Sequence, residues 1–147
     1  MRLFNSKWCE VMLAAAVVAG LACGLACGGS GSQGSGDTGL VGTWVGTAAG
    51  SSTVWTFTFT SADAEVRMGT VVAYKGTYAT DASSNPKSCS VTITESPNST
   101  YLGKTSNGIY KIEGSTLTLA ANEPGYPARP TDFTTGGNAA VFTLARQ

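Results

Sequence analysis

Val54-Trp55-Thr56-Phe57-Thr58-Phe59-Thr60 alternates without a break. Side chains on an extended chain point to opposite faces in turn. Trp55, Phe57 and Phe59 therefore share one face, and Thr56, Thr58 and Thr60 the other. One face demands burial and the other tolerates water, which is the pattern of an antiparallel sheet over a core. The rest of the sheet has to come from the chain on either side.

Towards the N-terminus, Gly50-Ser51-Ser52 reads as a hairpin turn. Before it lies Leu40-Val41-Gly42-Thr43-Trp44-Val45-Gly46-Thr47, a first strand. Thr43, Val45 and Thr47 point one way there, and Trp44, Gly46 and Ala48 the other. Towards the C-terminus, Val66, Met68, Thr70, Val72, Tyr74 and Tyr78 share one parity over a run too long for an ordinary strand. One bent strand and two strands joined by a turn near Gly69 to Gly76 both fit, two being the more usual length. Residues 81–86 read as a loop and residues 87–95 as a strand, with Cys89, Val91 and Ile93 on one face. Residues 96–107 read as a polar connection. Gly108-Ile109-Tyr110-Lys111-Ile112-Glu113 and Thr116-Leu117-Thr118-Leu119 flank Gly114-Ser115, and Gly at the first central position fits a type II′ hairpin. Residues 122–135 carry Pro124, Pro127 and Pro130 and read as a loop with at most a short pairing near Phe133. Residues 139–146 close the chain, with Ala140, Phe142, Leu144 and Arg146 on one face.

About eight short strands and no helix mean a sandwich or a barrel. A jelly-roll sandwich needs long crossovers, and the turns here are mostly short. The expected fold is all-β, an antiparallel barrel of about eight strands that closes on itself and leaves no edge.

The N-terminal part has another character. Arg2 and Lys7 precede Val11-Met12-Leu13-Ala14-Ala15-Ala16-Val17-Val18-Ala19-Gly20-Leu21-Ala22. A charged start and an apolar run of about a dozen residues make a secretory signal, too short to span a bilayer. It ends in Gly20-Leu21-Ala22-Cys23 and then Gly24-Leu25-Ala26-Cys27. Each tetrad resembles the lipobox of bacterial lipoproteins, with Gly where Leu is usual three places before the Cys. The resemblance implies that Cys23 or Cys27 becomes an acylated N-terminus; ordinary cleavage after an alanine would instead give a soluble secreted or periplasmic protein. The division expected is a lipoprotein-type signal over residues 1–26, a Gly/Ser-rich tether over residues 27–39 and a barrel domain over residues 40–147. A tether of that composition is a flexible coil with a reach on the order of 20 Å.

The run from Gly108 to Leu119, then Ala128-Arg129-Pro130-Thr131-Asp132-Phe133 and the closing Phe142-Thr143-Leu144-Ala145-Arg146, resembles one bacterial family. It is similar to the small lipocalin-like domain of uncharacterised function found in planctomycetes and related bacteria. Leu40 to Trp44, Tyr78, Asp81 and Pro86-Lys87 match the same pattern, so the likeness covers residues 40–147. The strand after Pro86-Lys87 departs from it, being Ser-Cys-Ser-Val-Thr-Ile-Thr where members are strongly charged. The resemblance implies a lipocalin-like barrel in an exported chain and no activity. Gly42-Thr43-Trp44 also looks like the Gly-x-Trp of the lipocalins proper. There the Trp closes the barrel base and an Arg near the last strand lies across it. Arg146 is the residue matched to that part, and with Trp44 it forms the expected barrel closure.

Composition limits the function. The chain has nine basic and nine acidic residues and no His. Balanced charge without a basic patch argues against nucleic acid. Lack of His removes the commonest general base and the commonest zinc ligand. No catalytic residue, metal ligand or cofactor is assigned, and the chain is not expected to be an enzyme. Cys89 has the parity of a buried thiol, and a Cys89–Cys27 disulfide is compatible only with acylation at Cys23. Arg129-Pro130 reads as the anchor of a loop. Trp55, Phe57, Phe59, Tyr74, Tyr78, Tyr110 and Phe142 are the candidate lining for a small apolar or amphipathic ligand. The competing expectation is an envelope interaction or inhibitor protein with a solid core, acting through its loops. The partners expected are thus a small hydrophobic ligand and, through the lipid anchor, a membrane of the cell envelope.

Overall fold

The computed structural model describes residues 37–147; the segment read as a signal, with Cys23 and Cys27, and all but the end of the stretch read as a tether lie outside the described residues. The strands are β1 Gly42–Ala48, β2 Val54–Phe59, β3 Asp63–Met68, β4 Val71–Asp81, β5 Lys87–Glu95, β6 Thr105–Glu113, β7 Thr116–Asn122 and β8 Ala139–Arg146. Each pairs antiparallel with the next, and β8 pairs with β1, so the sheet closes into a barrel in sequence order. The alternation of residues 54–60 becomes β2, with Trp55, Phe57 and Phe59 all buried.

The long run of one parity resolves into β3 and β4, joined at Gly69-Thr70. Gly69 takes φ +59°, a left-handed turn position that glycine adopts without strain. The register slips between Val66 and Arg67, so Ala73 and Tyr74 are both buried although they are adjacent. This bulge is invisible to parity counting. Gly114 has φ +60°, as the first central position of a two-residue hairpin with a primed turn requires.

The stretch read as a polar connection is partly structured. Residues 99–101 form one turn of 3-10 helix, and β6 begins at Thr105, ahead of the apolar run. Thr105, Ser106 and Asn107 have no apolar alternation, yet each finds a partner. Thr105 meets the Thr92 hydroxyl at 3.1 Å, Ser106 donates to the Asn122 carbonyl at 2.6 Å, and Asn107 accepts from Ser90 at 3.0 Å. Cross-strand hydrogen bonds hold these polar residues in the sheet.

Two glycines allow the wall to bend. A Cβ on Gly46 would stand 2.0 Å from the Thr143 carbonyl oxygen, and one on Gly76 would stand 2.0 Å from that of Thr92. Both are places where neighbouring backbones approach too closely for any side chain. Inside, Trp44, Tyr110, Phe142, Leu40, Ile93, Leu117, Leu144 and Val66 are the largest fully buried side chains. A second, small cluster lies on the outer wall, where Ile109, Ala120 and Val141 are covered by Phe133.

Candidate functional site

The barrel has two unlike ends. At one end β1 starts and β8 finishes, and the turns between β2 and β3, β4 and β5, and β6 and β7 are short. Trp44 sits there, wholly buried, and pairs in register with Arg146. The Arg146 guanidinium lies 4.3 Å from the Trp44 ring centroid. It also donates to the Val41 carbonyl at 3.0 Å and to that of Gly39. The Trp44 indole N–H donates to the Leu40 carbonyl at 2.8 Å. The chain ahead of β1 is thereby drawn across the base, and Leu40 is buried under it.

Asp37 completes this seal, and sequence reading placed it in the tether. Its carboxylate accepts from Lys87 at 2.8 Å, Tyr110 at 2.9 Å and the Gly39 N–H at 3.0 Å. Its own N–H donates to Thr80 at 2.8 Å. The hydrogen bond from Lys87, helped by Gly39 and Tyr110, outweighs burial and holds the carboxyl below its ordinary range. Burial, then the facing Asp37, pushes the Tyr110 hydroxyl upward. One signal for this was present: Asp37-Thr38-Gly39 is an Asx-turn sequence, hidden among the Gly and Ser of the tether.

All seven candidate lining residues lie inside the barrel, none more than 6% exposed. Five of them touch ring to ring. Trp55 meets Phe142 edge-on at 5.4 Å, Phe57 meets Phe142 at 5.0 Å, Phe59 meets Tyr78 at 5.1 Å, and Phe57 stacks by Phe59 at 6.4 Å. Tyr78 donates to the Thr60 carbonyl at 2.7 Å, and Tyr110 is committed to Asp37. Tyr74 stands apart from this chain of rings, beside Val66 in the register of β3.

The opposite end carries the longer loops. Tyr101 turns inward from the 3-10 turn, is 7% exposed, and donates to Glu123 on the β7–β8 connection at 2.8 Å. Burial and the Glu123 carboxylate push its hydroxyl up to about 12. Sequence reading missed both residues, because their partnership joins two loops that no periodicity connects. Among the described residues the exposed large apolar side chains are Val54, Val71, Leu102 and Tyr126, and all four stand at this end or on its loops.

Residues 123–138 run down the outside of the wall as a strap. Arg129 donates to the carbonyls of Cys89 and Gly108, each at 2.5 Å, and to the Ser90 hydroxyl at 2.9 Å. Its guanidinium thus ties the strap to β5 and β6. Further along, Lys111 lies 5.8 Å over the Phe133 ring. Instead of pairing as a strand, Phe133 covers the outer-wall cluster; the nearby bridge joins Gly136 and Ala139. Cys89, beneath the strap, is a buried free thiol whose pKa burial pushes up to about 12. A thiol so raised is a poor nucleophile.

Two of the hollows on the surface of the described residues could take a small molecule. One of about 470 Å³ lies on the wall of β2 to β5, among Thr58, Glu65, Lys75 and Glu95. Another of about 280 Å³ lies under the strap, beside Tyr126 and Arg129. Neither is lined by the inward aromatics. Among the described residues, no group of three His, Cys, Asp or Glu side chains stands close enough to hold a metal ion. No protein-family model, curated protein or solved structure matches this chain.

Proposed function

We propose that this chain is an exported, lipid-anchored, lipocalin-like module that binds a small apolar or amphipathic ligand at the unsealed end of its barrel. The observation that carries the proposal is the asymmetry of the ends. Trp44, Arg146 and Asp37 seal one, while Val54, Val71, Leu102 and Tyr126 are exposed around the other. Apolar side chains around a mouth give an apolar ligand a surface on which to lose water before it enters. The tether joins at the sealed end. A chain acylated at Cys23 or Cys27 therefore holds the mouth away from the envelope membrane. Binding is the whole of the activity proposed.

Ring-to-ring packing of Trp55, Phe57, Phe59, Tyr78 and Phe142 favours a second reading. In it the barrel is a solid scaffold and the open-end loops contact another envelope protein. Native mass spectrometry of the full chain from its host's envelope separates the two. The ligand reading expects a small molecule that leaves on collisional activation, and a diacylated N-terminal peptide. Bare protein in repeated preparations overturns the ligand and leaves the scaffold. An N-terminal peptide without acyl mass overturns the anchor.

A further inference from the structure

The buried aromatics with polar atoms divide into two groups. Trp44, Tyr78, Tyr101 and Tyr110 all donate to protein oxygens, at 2.7 to 2.9 Å. Trp55 and Tyr74 do not: neither the Trp55 indole N–H nor the Tyr74 hydroxyl has a partner among the described residues. Yet Trp55 is 5% and Tyr74 4% exposed. Every fully enclosed side-chain nitrogen or oxygen among the described residues has a hydrogen-bond partner. These two donors are therefore not fully enclosed, and each borders space that a water-sized molecule reaches.

Their placement is also shared. Trp55 is the first inward residue of β2 from the open end, opposite Met68. Tyr74 lies two strands away, and the Phe57–Val66–Tyr74 row puts it one inward layer deeper. Met68, Ala73, Ile93 and Phe142 pack in the same core, and Tyr101, committed to Glu123, is a polar neighbour of Tyr74. A ligand that displaces water from either of the two donors and offers no acceptor leaves it unmet, whereas a ligand acceptor that takes the water's place keeps it hydrogen-bonded. Resting on the ligand reading above, we infer that the open-end site selects apolar molecules carrying a hydrogen-bond acceptor, such as a carbonyl, received by the Trp55 N–H or, one layer deeper, by the Tyr74 O–H. A purely hydrocarbon ligand would leave both donors unmet.

A pair of isosteres tests this. 2-Acetylnaphthalene carries a carbonyl, and 2-ethylnaphthalene has nearly the same shape without one. Each is titrated into the tethered domain, uniformly ¹⁵N-labelled, and the indole N–H resonances are followed. The acceptor probe is expected to bind about tenfold more tightly, the equivalent of one hydrogen bond. It should shift the Trp55 resonance and leave that of Trp44, already bonded to Leu40, in place. Whichever donor receives the carbonyl, its variant, Tyr74→Phe or Trp55→Phe, should remove most of the difference between the probes without changing affinity for the ethyl compound; a difference kept in both variants overturns the assignment. If both probes bind equally, ligand binding stands and the acceptor assignment falls. If neither binds up to its solubility limit, both fall.

Discussion

The two ends of this barrel are built from the same residue types and differ in how their polar atoms are settled. At the sealed end, the Trp44 N–H, the Tyr110 and Tyr78 hydroxyls, the Arg146 guanidinium and the Asp37 carboxylate all have protein partners. At the open end, Trp55 and Tyr74 bring donors of the same kind, which meet none among the described residues, under a rim of exposed apolar side chains. A buried group with a protein partner stabilises one conformation, whereas a donor that only water reaches is available to a ligand. The lesson is that an aromatic lining identifies neither a core nor a site. The fate of its polar atoms separates them.

Substitutions can break this comparison, and the largest effect belongs to the sealed end. Trp44→Ala should cost about 3–5 kcal/mol in urea unfolding, through the cavity left and the loss of the Arg146 stack. Trp44→Phe keeps most of the volume and should cost less. Trp55→Phe at the other end gives up the same ring volume but no protein hydrogen bond and no cation contact, so it should cost less than Trp44→Phe. Equal losses for the two Phe variants would erase the distinction between the ends.

Asp37→Ala should cost about 1–3 kcal/mol, because it strips the acceptor from Lys87 and Tyr110 at once. The lower part of that range is expected, as the Lys87 side chain is 41% exposed and its charge is partly screened. The same residue predicts a pH dependence. Its folded pKa lies below the ordinary 3.8, so its contribution is complete above that value. The contribution fades as pH falls from there through the lowered folded value. The urea midpoint of the wild type should therefore drop in that acid window more steeply than that of Asp37→Asn.

Arg146→Met keeps the aliphatic stem over Trp44 and removes the charge and the hydrogen bonds to Val41 and Gly39. It should cost about 1–2 kcal/mol, mostly the cation–π contact, since those exposed hydrogen bonds add little. The smallest effect is at the open end. Glu123→Gln weakens the bond from Tyr101 and should leave global stability within about 1 kcal/mol. Amide exchange at Gly103 and Lys104, whose backbone bonds hold that loop, should nevertheless quicken. A global loss as large as that of Asp37→Ala would mean that the open end is as tightly built as the seal.

Most of the barrel was legible from alternation. The run from Val54 to Thr60 became β2, the residues around Gly114-Ser115 became a hairpin, and closure followed from short turns and many strands. What escaped has a common cause. Thr105 to Asn107 joined a strand without apolar alternation, because Thr92, Asn122 and Ser90 supply partners from elsewhere in the chain. Phe133 lay in a proline-rich loop, and its packing on Ile109, Ala120 and Val141 depends on a strap whose course no local pattern encodes. Tyr101 and Glu123 are 22 residues apart on different loops.

By itself, then, the sequence determined which residues alternate, where the chain turns, and that the strands suffice to close a sheet. Those properties are local, set by a two-residue period and by a few glycines and prolines. Only the tertiary structure decided which polar groups are settled. It brought Asp37 to Thr80, Lys87 and Tyr110, across 43, 50 and 73 residues of chain, and turned the end of a tether into part of a seal. It likewise left Trp55 and Tyr74 without such an encounter. A hydrogen bond needs two groups within about 3 Å, and in a closed barrel that proximity follows from the closure of the whole sheet.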